Sequence, residues 1–204
     1  MPVEQIKVGL DNFSYLIFSP STKKSAIVDP GFDASPALRC ISSKNLELLY
    51  IINTHYHSDH SGANERIKKS FPSSVVVASE LDGVRLGADK VVSDGDQLML
   101  GEICVDFILT PGHTPGSLCL VVDNEFLLTG DTLFIGDCGR TDLPGGSSHE
   151  MYKTLQEKIK ILPDHLIVYP GHDYGDKPFD TLGNQKRTNK TLLARNLDEF
   201  LKIP

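Results

Sequence analysis

A layered α/β (α+β) domain is what the sequence predicts, and three observations carry that expectation. Short β-type runs arrive in groups, helical patterns flank them in both halves, and 204 residues at 40% hydrophobic content suffice for one sizeable core. No Pro- or Ser-rich linker separates independent halves, so residues 1–204 are read as one domain.

The elements follow in order. Val3–Val8 and Asn12–Ser19 read as a hairpin around a Gly-Leu-Asp-Asn turn, and Ser25–Val28 as a third strand stopped by Asp29-Pro30-Gly31. Pro36–Lys44 is a helix candidate. Leu46–Asn53 is an apolar run of strand length, expected to be buried on both faces. A His-rich loop follows at once, then a helix over Gly62–Ser70 and a strand over Val75–Ser79. In the second half, Gln97–Leu100, Ile103–Leu109, Leu118–Asp123 and Glu125–Thr129 suggest a β meander with turns at Gly101 and Asp123-Asn124. Ser147 with Glu150 is a capping-box signature, and Met151, Leu155, Ile159 and Leu162 continue it as a helical stripe. Leu166–Tyr169 is the last strand, and Leu193, Leu197, Phe200 and Leu201 provide the apolar face of a terminal helix.

Composition narrows the function classes. With 20 basic against 27 acidic residues the formal charge is -7, and no basic surface of the kind nucleic acid requires is expected. A local basic pocket for a small anionic substrate remains compatible with that balance. The N-terminal segment has no basic stretch followed by an apolar one, and no apolar run approaches the ~20 residues that span a bilayer. Cys40, Cys104, Cys119 and Cys138 include no pair at zinc-finger spacing; Cys104 and Cys119 lie in strand-like runs and read as reduced core residues. The expected setting is cytoplasmic, without a nucleic-acid or membrane partner, and the oligomeric state is left open.

Thr54-His55-Tyr56-His57-Ser58-Asp59-His60 places four potential metal ligands directly after a buried strand. Residues two apart in an extended segment point the same way, so His55 and His57 can converge on one ion. A turn after them can aim Asp59 and His60 at a neighbouring position. Imidazole with carboxylate suits zinc, iron or manganese at a catalytic site better than a structural thiolate site would. The bland alternative is a solvated loop that happens to be His-rich, against which stands the packing of three of seven histidines into it.

Three later segments share one grammar: an apolar strand, then a tight turn carrying a ligand type. They end in His113 (Thr110-Pro111-Gly112-His113), Asp131 (Thr129-Gly130-Asp131) and His172 (Pro170-Gly171-His172). Strand ends are where a rigid scaffold presents catalytic groups. Singly, a His after Pro-Gly is an ordinary turn residue; with the first cluster the set points to a metal centre. His149 and His165 read as surface residues.

HxHxDH at 55–60, PGHTPG at 111–116, GDTLF at 130–134 and PGHDYG at 170–175 resemble the metallo-β-lactamase superfamily along the whole chain. The resemblance implies a four-layer αββα sandwich with metals at one end, between the sheets. It implies His55, His57 and His113 on a first ion, Asp59, His60 and His172 on a second, and Asp131 bridging them. Two divalent ions are then expected, zinc first, with iron or a zinc/iron mixture as alternatives. Ions ~3.5–4 Å apart would share a hydroxide formed near neutral pH. Asp29 and Thr54 are candidates for orienting the ligands, although a strand-end turn also accounts for Asp29.

Fold alone does not choose the reaction. Gly136–Gly146 resembles the segment that follows the bridging aspartate in glyoxalase II-like hydrolases and persulfide dioxygenases. There the resemblance implies a basic side chain holding a glutathione-type substrate, for which Arg140 is the candidate, with Tyr174 capping the pocket. The alternative for Arg140 is a structural pair with Asp142 or Asp137, and for Cys138 a packing role. A thioester suits such a site because its thiolate, of conjugate-acid pKa ~8.5, departs without strong acid help. The leading expectation is therefore a thioester hydrolase acting on a small-molecule thioester, hydroxyacylglutathione hydrolase-like. The rival is a persulfide dioxygenase with a single iron on His55, His113 and Asp131, taking a thiol-derived substrate. A metal-binding protein without turnover is the third reading. Leu143-Pro-Gly-Gly146 and the full second ligand set favour the hydrolase. Thr181–Leu192 shows no likeness to the added basic domain of full-length glyoxalase II, so the thiol partner stays open.

Overall fold

A computed structural model describes residues 1–203. The first half builds β1 (Val3–Val8), β2 (Asn12–Phe18), β3 (Lys24–Val28), α1 (Ser35–Ser43), β4 (Glu47–Ile52), α2 (Ser58–Ser61), α3 (Asn64–Ser70), β5 (Val75–Ser79), α4 (Glu80–Leu86) and β6 (Lys90–Val92). These strands form one six-stranded sheet in chain order. The β1–β2 and β2–β3 pairs are antiparallel; from β3 to β6 the pairing is parallel.

The second half contributes β7 (Gln97–Leu100), β8 (Ile103–Leu109), β9 (Leu118–Val122), β10 (Phe126–Gly130), α5 (Ser148–Thr154), β11 (Ile167–Pro170), β12 (Asp180–Thr181), α6 (Leu182–Thr188) and α7 (Leu197–Phe200). β7 to β10 run as the expected meander, and β11 lies parallel to β10. A π-helical turn, Leu155–Ile159, continues α5 and carries the predicted stripe: Met151, Leu155 and Ile159 are fully buried and Leu162 packs half-buried beside them.

Side-chain alternation creates the layers. On β9, Leu118, Leu120 and Val122 face the other sheet's Ile17, Val28 and Ile52, while Cys119 and Val121 face Met151 and Leu155 under α5. On β3, Ala26 and Val28 join the inter-sheet core and Ile27 packs with Ala37 and Ile41 of α1. Helices therefore cover the outer face of each sheet, giving the four-layer αββα sandwich that the motif resemblance implies.

Several expectations are corrected. The helix read over Gly62–Ser70 is α3 alone, preceded by the separate turn of α2 around the His-rich loop. Neither α4 nor β6 was expected, although Ser79 caps α4 by accepting the Asp82 N–H and Gly87 ends it in the left-handed region. The terminal helix is only the short α7. Leu193 and Leu201 are exposed, while Leu192, Ala194 and Phe200 supply the buried contacts, because the chain leaves α6 in an irregular segment that shifts the buried face. Cys119 is buried, but Cys104 is only half-buried, since the even positions of β8 face outward near its edge. His149 and His165 are exposed, and among the described residues no helix is long and apolar enough to cross a membrane.

Candidate metal centre

Strand direction gathers the site. β8, β10 and β11 all run the same way, so the turns after them, carrying His113, Asp131 and His172, emerge at one end of the second sheet. β3 and β4 are parallel and end at the facing edge of the first sheet, delivering Asp29 and the His55–His60 loop. The Leu118 N–H donates to the Thr54 carbonyl at 2.8 Å and stitches the two edges together. Gly130 sits at φ +47°, where any Cβ would collide with the Thr54 hydroxyl; at Gly171 a Cβ would strike the Asp131 carboxylate. The backbones must be this close for Asp131 to reach the centre.

Two donor groups face the seam. Ring nitrogens of His55, His57 and His113 lie within 4.8 Å of one another, as do donor atoms of Asp59, His60 and His172. Asp29 with His55 and His60 falls within the same distance, but its carboxylate is taken up by Thr54 and His60 Nδ1. His57 Nδ1 is 2.9 Å from His113 Nε2, and His60 Nε2 is 3.2 Å from His172 Nε2. Asp131 stands between the groups: one carboxylate oxygen is 3.3 Å from His60 Nε2, and the other is 3.4 Å from both His113 Nε2 and His172 Nε2. The structure thus brings together all seven residues that the motifs single out.

The far side of each ring is mostly held. The Thr54 hydroxyl donates to Asp29 at 2.6 Å and lies 3.0 Å from His55 Nδ1, which has it as acceptor. His60 Nδ1 donates to the same Asp29 oxygen at 3.0 Å, and His113 Nδ1 donates to the Arg140 carbonyl at 2.7 Å. These bonds fix the tautomers so that the Nε2 lone pairs point inward. Asp29 is therefore an orienting group, its carboxylate occupied by Thr54 and His60, as well as a strand-end residue.

Electrostatics divide the cluster. Burial, reinforced by neighbouring imidazoles, holds His55 and His57 below the usual imidazole range. Burial also opposes charge on His60 and His172, but carboxylates win there: Asp131 and Asp29 raise His60, and Asp131 and Asp59 raise His172 to about 9. Burial would raise Asp59 and Asp131, yet the charge on His60 and contact with His172 hold both well below the carboxylate range. His55 Nε2 and one Asp131 oxygen are buried without any hydrogen-bond partner. Buried polar atoms left unpaired in this way are what a cation would satisfy, and the donor set fits a divalent metal.

A cleft of about 530 Å³ opens over the centre. Arg140 and Tyr174 line it, as do Cys138 and Phe134. Arg140 is exposed and grips Asp142 through two bonds of 2.7 Å, the structural pairing weighed from the sequence. Tyr174 stacks on His172 at 4.7 Å and is pushed up to about 12 by burial and nearby carboxylates. Burial likewise raises the Cys138 thiol to about 12, so it stays protonated. Sequence reasoning missed the Arg140 carbonyl as a partner for His113. It also missed Asn12, whose amide donates to Asp59 Oδ2 at 3.1 Å. The Asp11-Asn12 pair was visible only as a hairpin turn.

Two helix-covered sheets with a His/Asp centre at one end of their seam define the metallo-β-lactamase class. The chain belongs to the Metallo-beta-lactamase superfamily, whose family model matches residues 8–172. It is 34% identical to the human mitochondrial persulfide dioxygenase ETHE1 over 193 residues, 94% of this chain and 75% of that protein. It is also 34% identical to a hydroxyacylglutathione hydrolase of Rhodospirillum rubrum, over 97% of this chain and 76% of that protein. Among solved structures, ETHE1 from Myxococcus xanthus superposes with a TM-score of 0.87 at 27% identity, covering 100% of this chain and 92% of that one. The relatives thus include enzymes of both reaction types.

Proposed function

We propose that the chain is a thioester hydrolase using two divalent cations, zinc first, held by His55, His57 and His113, by Asp59, His60 and His172, and by Asp131 between them. The observation that carries this reading is the paired donor groups flanking one buried, partly unpartnered carboxylate. When bound, cations there would supply Lewis-acid polarisation of the acyl carbonyl and acidify water. The chain's own contribution is arrangement. Asp29, Thr54 and the Arg140 carbonyl lock the imidazoles in place before substrate arrives, so little reorganisation accompanies the reaction. Phe134 and Tyr174 form an apolar wall of the cleft against which the acyl-thiol lies. Arg140 binds an anionic arm of the substrate by exchanging Asp142 for a substrate carboxylate. The departing thiolate needs no dedicated acid, and the thiol and phenol that line the cleft, Cys138 and Tyr174, are both too weakly acidic to protonate it.

The second reading is a persulfide dioxygenase with one iron on His55, His113 and Asp131. The 34% identity to the human persulfide dioxygenase supports it. An oxygen electrode run beside a thiol-release assay, on zinc-loaded and iron-loaded protein, separates the two. Cleavage of an S-acyl thiol such as S-lactoylglutathione at equal rates in air and under argon is the expected result. Persulfide-dependent oxygen uptake without thioester cleavage would establish the rival.

A further inference from the structure

Two ligands of the second donor group are held differently from the rest of the centre. His55 and His113 of the first group, and His60 of the second, are anchored from behind by Thr54, the Arg140 carbonyl and Asp29. Asp59 and His172 instead meet the turn of the N-terminal hairpin. Asn12, only 8% exposed, donates from Nδ2 to Asp59 Oδ2 at 3.1 Å and to the Asp59 carbonyl at 3.4 Å. The same amide is 3.5 Å from His172 Nε2. On the other side of that ring, His172 Nδ1 is buried with no hydrogen-bond partner, and the Asp11 carboxylate lies 3.6 Å away. The backbone pins this arrangement: Phe13 N–H donates to the Gly171 carbonyl at 2.8 Å, and Asp173 N–H to the Asp11 carbonyl at 2.7 Å. Lys7 of β1 adds an ion pair to Asp173 at 3.0 Å.

We infer that Asp11 and Asn12 are positioning residues that set occupancy of the second metal site, leaving the first to the rest of the fold. The inference rests on the two-ion reading. Asn12 restricts Asp59, the most exposed of the carboxylate ligands, to one orientation by holding one of its oxygens. Asp11 supplies the acceptor that His172 Nδ1–H lacks, closing by a side-chain rotation the carboxylate–histidine arrangement that orients and strengthens a metal-ligating imidazole. The hairpin turn thereby decides whether the centre carries one ion or two, although neither residue belongs to the ligand motifs.

The test is calorimetric titration of Zn²⁺, in competition with a chelator, into metal-free wild type, Asn12→Ala, Asp11→Ala and Asp11→Asn. Wild type is expected to take two ions. Both alanine variants should lose about 10–100-fold in affinity for the second ion with the first unchanged, the range seen when orienting partners of metal ligands are removed. Asp11→Asn, which keeps an acceptor oxygen, should recover most of the loss. First-site affinity in the same molecule reports any general damage; should Asn12→Ala fail to fold, the half-exposed Asp11 decides alone. Equal loss at both sites, or none at the second, overturns the inference while the two-ion reading stands. A wild type that binds one ion only removes that reading and the inference with it.

Discussion

Asp131 is the residue on which the two donor groups depend, because its two oxygens face His60 on one side and His113 and His172 on the other. Asp131→Ala is expected to abolish activity and release both ions, whereas Asp59→Ala should empty mainly the second position. Metal analysis of the purified variants checks both. Retention of two ions by Asp59→Ala would contradict the proposed ligand division. Arg140 belongs to a different layer of the site: its carbonyl serves His113, but its exposed guanidinium serves Asp142. Arg140→Ala preserves the carbonyl, so metal content should stay intact while KM for an anionic thioester rises about tenfold, the scale of one charge-assisted contact. Kinetics unchanged from wild type would leave Arg140 with its Asp142 pairing alone.

At the scale of elements, the ligand turns are braced by helices on the outer faces. The Ser147 N–H donates to the Gly112 carbonyl at 2.8 Å, and its side chain caps α5 by accepting the Glu150 N–H at 3.2 Å. α5 is thus tied at its first turn to the loop that presents His113. Ser147→Ala keeps the backbone tie and loses only the cap, so urea denaturation should show a loss of about 1 kcal/mol with metal affinity unchanged. A change in first-site affinity would mean that the cap also positions His113. α2 behaves differently. It is a single turn whose Asp59 and His60 point to the centre, and its Gly62 N–H closes back on the Ser58 carbonyl at 2.7 Å. Its register separates the two candidate donor pairs of the HxHxDH segment.

Across the whole molecule, the centre is an acidic and basic mosaic that protons can fill. His172 is raised to about 9 and His60 is raised as well, so this facing pair retains an extra proton at neutral pH in metal-free protein, while burial lowers His55 and His57. A metal at the second position must displace that proton. Second-site affinity should therefore climb with pH from 6 to about 9, more steeply than first-site affinity; titrations in buffers of different ionisation enthalpy would count the protons released. Stability of the metal-free protein has the opposite sign. A raised imidazole stabilises fully below its unfolded pKa of ~6.5, and that contribution fades as pH rises through the folded value. With a chelator present, the urea midpoint should fall between pH 6.5 and about 9. A midpoint that rises over this window would contradict the charge assignment.

Local chemistry made much of this protein legible from the sequence alone. Period-two and helical patterns revealed the meander, the buried β4 run and the α5 stripe, because one face of each must be apolar. The turns that carry the candidate donors were readable because residue type and two-residue spacing are themselves the chemistry. The single-turn α2, the unexpected α4 and β6, and the displaced C-terminal contacts were not, since short elements are decided by what they pack against. The pairing of Asn12 with Asp59, 47 residues apart, left no trace in either local segment. Nor did the sequence show that Arg140 turns its carbonyl to His113 and its side chain to Asp142. Spacing along the chain determined which residues could bind a metal. Only the shared direction of β8, β10 and β11, facing the ends of β3 and β4, decided which of them meet and what holds each from behind.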